Sequence, residues 1–327
     1  MRDRSAPPAI TVTGLRKSFG EHTVLDGIDL EVPSGTVFCL LGPNGAGKTT
    51  AVNILTTLIR PDAGQVRIAG HGLTEEPDAV RAAIGVTGQF SAVDPLLSGE
   101  ENLTLIGDLH HLPRREVRRR TAELLERFDL VDAAGRLAST YSGGMTRRLD
   151  LAMSLIGRPS VLFLDEPTTG LDPRSRRTVW QGVRALVTGG VTVFLTTQYL
   201  DEADQLADRI ALLDHGRLVA EGTPDELKRL VAGGHIDVRF TDAAGLDAAA
   251  RALGDVPRDP DTLSLQVPSD GSVASLRALL DRFDDRSIAV EGLSIHTPDL
   301  DDVFFALTGH TDTDTDNGAE RQEATTP

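Results

Sequence analysis

The octapeptide Gly42-Pro43-Asn44-Gly45-Ala46-Gly47-Lys48-Thr49 constrains this chain more than any other feature. It fits G-x-x-x-x-G-K-[ST] and follows the apolar run Val37-Phe38-Cys39-Leu40-Leu41. A helical pattern follows it, with Val52, Leu55 and Ile59 on one face. A strand, a glycine-rich turn and a helix in that order make a phosphate cradle. Glycines let successive backbone N–H groups point into one hollow, and the helix N-terminus adds partial positive charge. Lys48 can reach the β- and γ-phosphates of a nucleotide, and the Thr49 hydroxyl can ligate Mg²⁺. Lysine occurs only as Lys17, Lys48 and Lys228, so a chance glycine-rich turn is a poor alternative. Nucleotide binding follows, although many enzymes share the loop.

Composition narrows the class. The 327 residues suit one large domain or two ordinary ones. Acidic residues outnumber basic ones 49 to 33, a net charge of −16, which argues against a general nucleic-acid binder. The arginine-rich stretch 114–120 is interrupted by Glu116 and followed by Glu123 and Glu126, the pattern of a solvated helix face. The single cysteine, Cys39, excludes a disulfide framework and a Cys-rich metal site, and reads as a buried, inert thiol. His110-His111 has no further Cys or His nearby to complete a metal site, and His215 reads as a turn residue. No apolar stretch approaches the ~18 residues of a membrane span, and the first residues lack the apolar core of a signal peptide. The expectation is a cytoplasmic protein whose membrane role, if any, comes through a partner.

Residues 9–222 read as one α/β unit, with strands at 10–15, 28–32, 37–41, 66–69, 161–164 and 191–195 and a helix over 113–130. The runs at 161–164 and 191–195 are continuously apolar, as strands buried on both faces of a parallel sheet must be. Breaks at Gly222-Thr223-Pro224 and Gly233-Gly234 mark a linker over 223–234. A smaller α/β unit, 235–310, follows, with strands at 236–240, 262–267 and 287–295 and helices at 246–253, 272–283 and 299–307. It carries no recognisable catalytic set. Residues 1–8 and the acidic tail 311–327 are expected to be disordered.

Two further motifs carry chemistry. The strand 161–164 runs into Asp165-Glu166-Pro167, placing two carboxylates at the carboxyl end of a parallel strand, where such sheets put ligands. Asp165 suits Mg²⁺, and Glu166 is placed to orient or deprotonate an attacking water. Tyr141-Ser142-Gly143-Gly144-Met145 opens an amphipathic helix, with Ser142 as its N-cap. Ser142 and the amides of Gly143 and Gly144 would form a second anion site at a helix N-terminus.

Phosphate loop, Ser-Gly-Gly helix and acidic strand, in that order, resemble the ATP-binding-cassette ATPases over residues 9–222. The resemblance implies a P-loop NTPase cassette, a mixed sheet with antiparallel β and helical subdomains, that hydrolyses ATP with Mg²⁺. It implies a head-to-tail pair of cassettes, with Ser142, Gly143 and Gly144 contacting the γ-phosphate of ATP held by a second copy. The residues 42–49 and Thr50 would hold ATP, with Lys48 also catalytic and Thr49, Gln89 and Asp165 as the metal-facing set. Phe19 matches the adenine-stacking aromatic, with an ordinary core phenylalanine as the alternative. Gln89 matches the glutamine that reaches Mg²⁺ and water, and the stretch from it through Leu103 would face a permease. Asp172 matches the aspartate that crosses the dimer interface. Gln198 stands where most cassettes have histidine. Its amide can donate a hydrogen bond to the γ-phosphate but carries no titrating proton. This leaves Glu166 as the base and Gln198 as a positioning group.

Gln198, the run Gly85-Val86-Thr87-Gly88-Gln89 and the stretch Leu300-Asp301-Asp302-Val303-Phe304-Phe305-Ala306-Leu307 resemble the daunorubicin-resistance type of these ATPases. That group implies an ATPase subunit docked at the cytoplasmic face of the cell membrane on a separate integral permease, with no nucleic-acid partner. ATPases of lipid or polysaccharide exporters, and soluble cassette ATPases, are the alternatives. For the stretch from Val303 to Leu307, the buried face of a last helix is an equal reading.

Overall fold

A computed structural model describes residues 7–231, 234–254, 256–269 and 272–309. The expected disorder of 311–327, the expectation for residues 1–6 and the break at Gly233 lie outside the described residues. The chain divides into two compact units, Met1–Pro224 and Asp225–Pro327.

In the first unit, β1 (Ile10–Phe19), β2 (His22–Val32) and β3 (Val37–Leu41) lead to α1 (Lys48–Leu55). Next come β4 (Ala63–Ile68), β5 (His71–Gly72), α2 (Pro77–Ala83) and β6 (Ile84–Thr87). A helical stretch follows: α3 (Gly99–Leu109), α4 (Arg114–Arg127) and α5 (Gly143–Ser154). The chain then alternates through β7 (Val161–Asp165), α6 (Pro173–Thr188), β8 (Thr192–Thr197), α7 (Leu200–Leu206), β9 (Arg209–Asp214) and β10 (Arg217–Gly222). The short α8 (Pro224–Lys228) runs across the division between the units.

Two sheets result. One is antiparallel, in the order β2-β1-β4-β5. The other has the order β10-β9-β3-β8-β7-β6, parallel except for the β9–β10 pair. Strands β3 and β7 are buried at every residue, as the continuously apolar runs 37–41 and 161–164 require, with Asp165 the one buried charge at the end of β7. The stacked rings of Phe38 and Phe194 (5.6 Å between centroids), with Phe163 against Phe194 at 5.5 Å, fill the parallel sheet's core.

Several element ends depart from the expected ones. β1 continues to Phe19 rather than ending at 15, because its pairing with β2 carries on past register shifts through the polar Arg16-Lys17-Ser18. Four-residue β6 has only two fully apolar side chains, too weak a pattern to read as a strand, yet it pairs with β7.

In the second unit, β11 (His235–Phe240), α9 (Ala243–Leu253), β12 (Arg258–Asp259), β13 (Ser264–Pro268), α10 (Val273–Asp284), β14 (Val290–His296) and α11 (Leu300–Thr308) form a sheet in the order β12-β13-β11-β14. Its pairings are all antiparallel. Ile236, Val238, Phe240 and Leu265 pack with Leu246 and Ala249 of α9 and with Leu279 and Phe283 of α10. The two-residue β12 has no signal in the sequence, since two polar residues show no periodicity.

Candidate functional site

Four parallel strands end at one level. Leu41 of β3 faces Thr197 of β8, Asp165 of β7 faces Thr196, and Thr87 of β6 faces Leu164 of β7. The residues that follow these ends are the phosphate loop, Glu166, Gln198 and Gln89, so sheet register alone gathers four of the motifs. This is the carboxyl edge, where open α/β sheets place ligands.

The loop between β3 and α1 has the geometry its glycines imply. A side chain at Gly42 would put Cβ 2.2 Å from the Leu213 carbonyl oxygen. Gly47 caps α1 at φ +110, and a Cβ there would meet Leu25 Cδ2 at 2.8 Å. Lys48 is buried and donates to the carbonyls of Gly42 (2.8 Å) and Pro43 (3.0 Å). Its ammonium lies 3.8 Å from Glu166 Oε1. Burial lowers the Lys48 pKa, and the carboxylates of Glu166 and Asp165 act against that shift. Thr49 is exposed at the first turn of α1, and Thr50 is half-buried beside it.

Asp165 is buried, and its Oδ1 accepts from the Thr196 hydroxyl at 2.5 Å. Glu166 adopts φ +46, a left-handed backbone unusual for a non-glycine residue. Its N–H donates to the Thr196 carbonyl (3.1 Å), and its Oε2 accepts from the Thr169 hydroxyl (3.2 Å). Thr49, Gln89 and Asp165 offer only oxygen donors from hydroxyl, amide and carboxylate groups, the set a hard divalent cation takes.

Phe19 is 53% exposed at the end of β1, with Lys17 Nζ 5.3 Å from its ring centroid. The alternative of a core phenylalanine is therefore excluded. Ser142 caps α5 by accepting from the Met145 N–H at 3.3 Å, and Ser142 and Gly143 are exposed. Gly144 is half-buried, and a Cβ there would meet Ser175 Oγ at 2.8 Å. Asp172 caps α6, accepting from the N–H groups of Arg174 and Ser175 at 3.0 Å each. These hydrogen bonds, the Ser175 hydroxyl first, lower its pKa. Gln198 is half-buried where the chain leaves β8.

The model of the ABC transporter family matches residues 25–169. The chain is 53% identical over 306 residues to the daunorubicin resistance ATP-binding protein DrrA3 of Streptomyces coeruleorubidus, covering 93% of this chain and 97% of that protein. It is 49% identical to the daunorubicin/doxorubicin resistance ATP-binding protein DrrA of Streptomyces peucetius, covering 96% and 97%. The chain belongs to the ABC transporter family, among its drug-resistance ATP-binding proteins. A crystal structure of an ATP-binding cassette of an ABC transporter in its ADP conformation superposes with a TM-score of 0.62 at 26% identity, over 68% of this chain and 93% of that one. A nucleotide-free cassette gives 0.62 at 26%, over 69% and 96%. The expected P-loop cassette fold and the ATPase class are thus borne out. As an ABC ATPase, the chain binds and hydrolyses ATP.

Sequence reasoning missed three charged side chains behind this edge. Arg147 and Asp150 of α5 and Glu202 of α7 are all buried. Each was masked by the ordinary rule that charged residues face water. Apart from the Arg147–Asp150 pair within α5, their partners lie on other elements, so spacing alone did not show that they are buried.

Proposed function

We propose that this ATPase is the energy-supplying subunit of an exporter of anthracycline-like drugs, working as a head-to-tail pair against a separate membrane permease. The convergence of Lys48 and Glu166 at the carboxyl edge carries the reading, because it sets a phosphate-binding cation beside a carboxylate at one strand level. The loop amides and Lys48 hold the phosphates of ATP, and Phe19 stacks on the base. Glu166 takes the proton of the attacking water, and Gln198 donates to the γ-phosphate and positions it. Thr49, Asp165 and Gln89 would hold Mg²⁺, which would supply neutralisation of phosphate charge. Ser142, Gly143 and Gly144 close over ATP bound by the second copy, and Asp172 lies at that seam.

Among the described residues no helix is long and apolar enough to cross a membrane. A membrane role therefore runs through a partner surface in this reading. Phe90 and Leu96, in the stretch after Gln89, are 88% and 79% exposed, which suits contact with an apolar permease face. The second unit, with its all-antiparallel sheet, serves regulation or dimerisation. The greater identity to the drug-resistance proteins than to the 38% identical Nod factor export ATP-binding protein of Ralstonia nicotianae favours a drug cargo over the alternative exporters.

Reconstitution of the chain with a candidate multi-span permease tests the reading. ATP turnover should rise when that permease is added, and anthracycline should accumulate in inverted vesicles only with ATP present. Turnover indifferent to the permease would remove the exporter role and leave a cassette ATPase of another kind.

A further inference from the structure

Arg147 and Asp150 lie one turn apart on α5, at 8% and 3% exposure, with Arg147 Nη1 3.2 Å from Asp150 Oδ2. A buried ion pair is weak evidence of stabilisation, since desolvation offsets the attraction. Its other contacts give it a different reason to exist. Arg147 Nε donates to the Pro167 carbonyl at 2.8 Å, and Nη2 to the Asp165 carbonyl at 3.4 Å. These are the two residues flanking Glu166. Arg147 Nη1 also donates to the Gly88 carbonyl at 2.9 Å, immediately before Gln89. Asp150 Oδ1 accepts from the Ala92 N–H at 3.2 Å, beyond Gln89 on the other side. One planar guanidinium and its carboxylate therefore grip the backbone on both sides of Glu166 and on both sides of the segment 89–91.

Glu166 needs such a grip. A left-handed φ at a non-glycine residue persists only where the surroundings over-determine it. The Thr196 carbonyl holds the Glu166 N–H from the β8 side, and Arg147 holds the two neighbouring carbonyls from the α5 side.

We infer that Arg147, backed by Asp150, is a positioning residue for hydrolysis, tying the Gln89 segment and the Glu166 turn to α5 so that the three move as one piece. This rests on the roles proposed above for Glu166 and Gln89. It also gives a shift at the permease-facing segment a direct mechanical route to the base. Lysine cannot replace the arginine, because a single ammonium lacks the fork that spans carbonyls from two separate segments.

The test is Arg147→Lys in the full chain, which keeps a positive charge opposite Asp150. Positioning predicts that kcat falls about tenfold to a hundredfold while KM for ATP stays within about threefold. It also predicts that amide hydrogen exchange over residues 88–93 quickens about tenfold, with strand β7 unchanged. Parent-like turnover and exchange would overturn the assignment. So would loss of ATP binding together with faster exchange across the whole first unit, since that is the behaviour of a purely structural arginine. Should Arg147→Lys fail to fold, Asp150→Asn carries the test. It removes the charge that backs Arg147 while leaving an acceptor for Ala92, so a fall in kcat with KM for ATP held within about threefold and faster exchange over 88–93 supports the clamp. Turnover and exchange both at the parent level overturn it. A parent chain that lacks ATP turnover would instead sink the proposed function, and the exchange readout separates the two failures.

Discussion

The two units of this chain treat polar groups in opposite ways. Among the described residues, every buried charged or polar side chain, from Lys48 and Thr56 to Glu202 and Asp214, lies in the first unit. The second unit's buried side chains are all apolar. Burying charge costs free energy unless each group is paired. The first unit accepts that cost where chemistry must be held in place, at Lys48 and Asp165 among others. Proteins depart from the rules of stable packing at functional sites and compensate elsewhere. The contrast marks the first unit as the engine and the second as a body built for packing.

The largest effect that could break this contrast is in turnover. Glu166→Gln should lower kcat by about 10²–10⁴, the usual loss on removing a general base, while ATP and Mg²⁺ still bind. Size-exclusion chromatography with saturating nucleotide should then show a trapped dimer. A variant that hydrolyses ATP at the parent rate would show that the buried charges around Lys48 serve something other than the chemistry assigned to them.

The second effect is on stability and should stay local. Phe283 of α10 is 1% exposed and meets Phe240 edge-on, with ring centroids 5.9 Å apart. Phe283→Ala should destabilise the second unit by about 3–5 kcal/mol through lost burial and a cavity. Calorimetry should show its transition moving down while ATP affinity of the first unit holds. A matching loss of ATP affinity would mean that the packing body is part of the engine, and the contrast would fail.

The same contrast explains what could be read from sequence. The phosphate loop, Ser142 and Asp165-Glu166 were readable because backbone conformations and ligand chemistry restrict the residue types at fixed spacing. The second unit's helices were readable from apolar period alone, and its last helix starts where expected, with the Asp299 cap and Leu300 and Val303 buried. Arg147 was not readable. Its carbonyl partners Gly88 and Pro167 lie 59 and 20 residues away, and only the fold brings them to one guanidinium. The extension of β1 to Phe19 was hidden for a similar reason, since its pairing partners on β2 sustain a strand whose own residues are polar.

The smallest effect concerns Glu202, the most deeply buried of these charges, and it can be read through the chain's single tryptophan. Trp180 Nε1 donates to Glu202 Oε1 at 3.0 Å. Burial raises the Glu202 pKa above the usual carboxylate range, and the polar groups of Thr197, Trp180 and Thr168 beside it only partly oppose the shift. The folded chain therefore holds this proton more tightly than the unfolded chain does. Where the folded state binds more protons, stability falls as pH rises. Glu202's contribution is then fully present below the ordinary carboxylate range and declines as pH climbs through the raised folded value. Glu202→Gln keeps an acceptor for Trp180 but removes the titration. It should match the parent in acid and gain on it as pH rises, by about 1.4 kcal/mol for each tenfold difference in proton affinity. Trp180 emission should titrate above the ordinary carboxylate range in the parent and stay flat in the variant. A variant that loses stability at neutral pH would show that the ionised carboxylate is itself a structural group, and the first unit would then tolerate buried charge for packing as well as for chemistry.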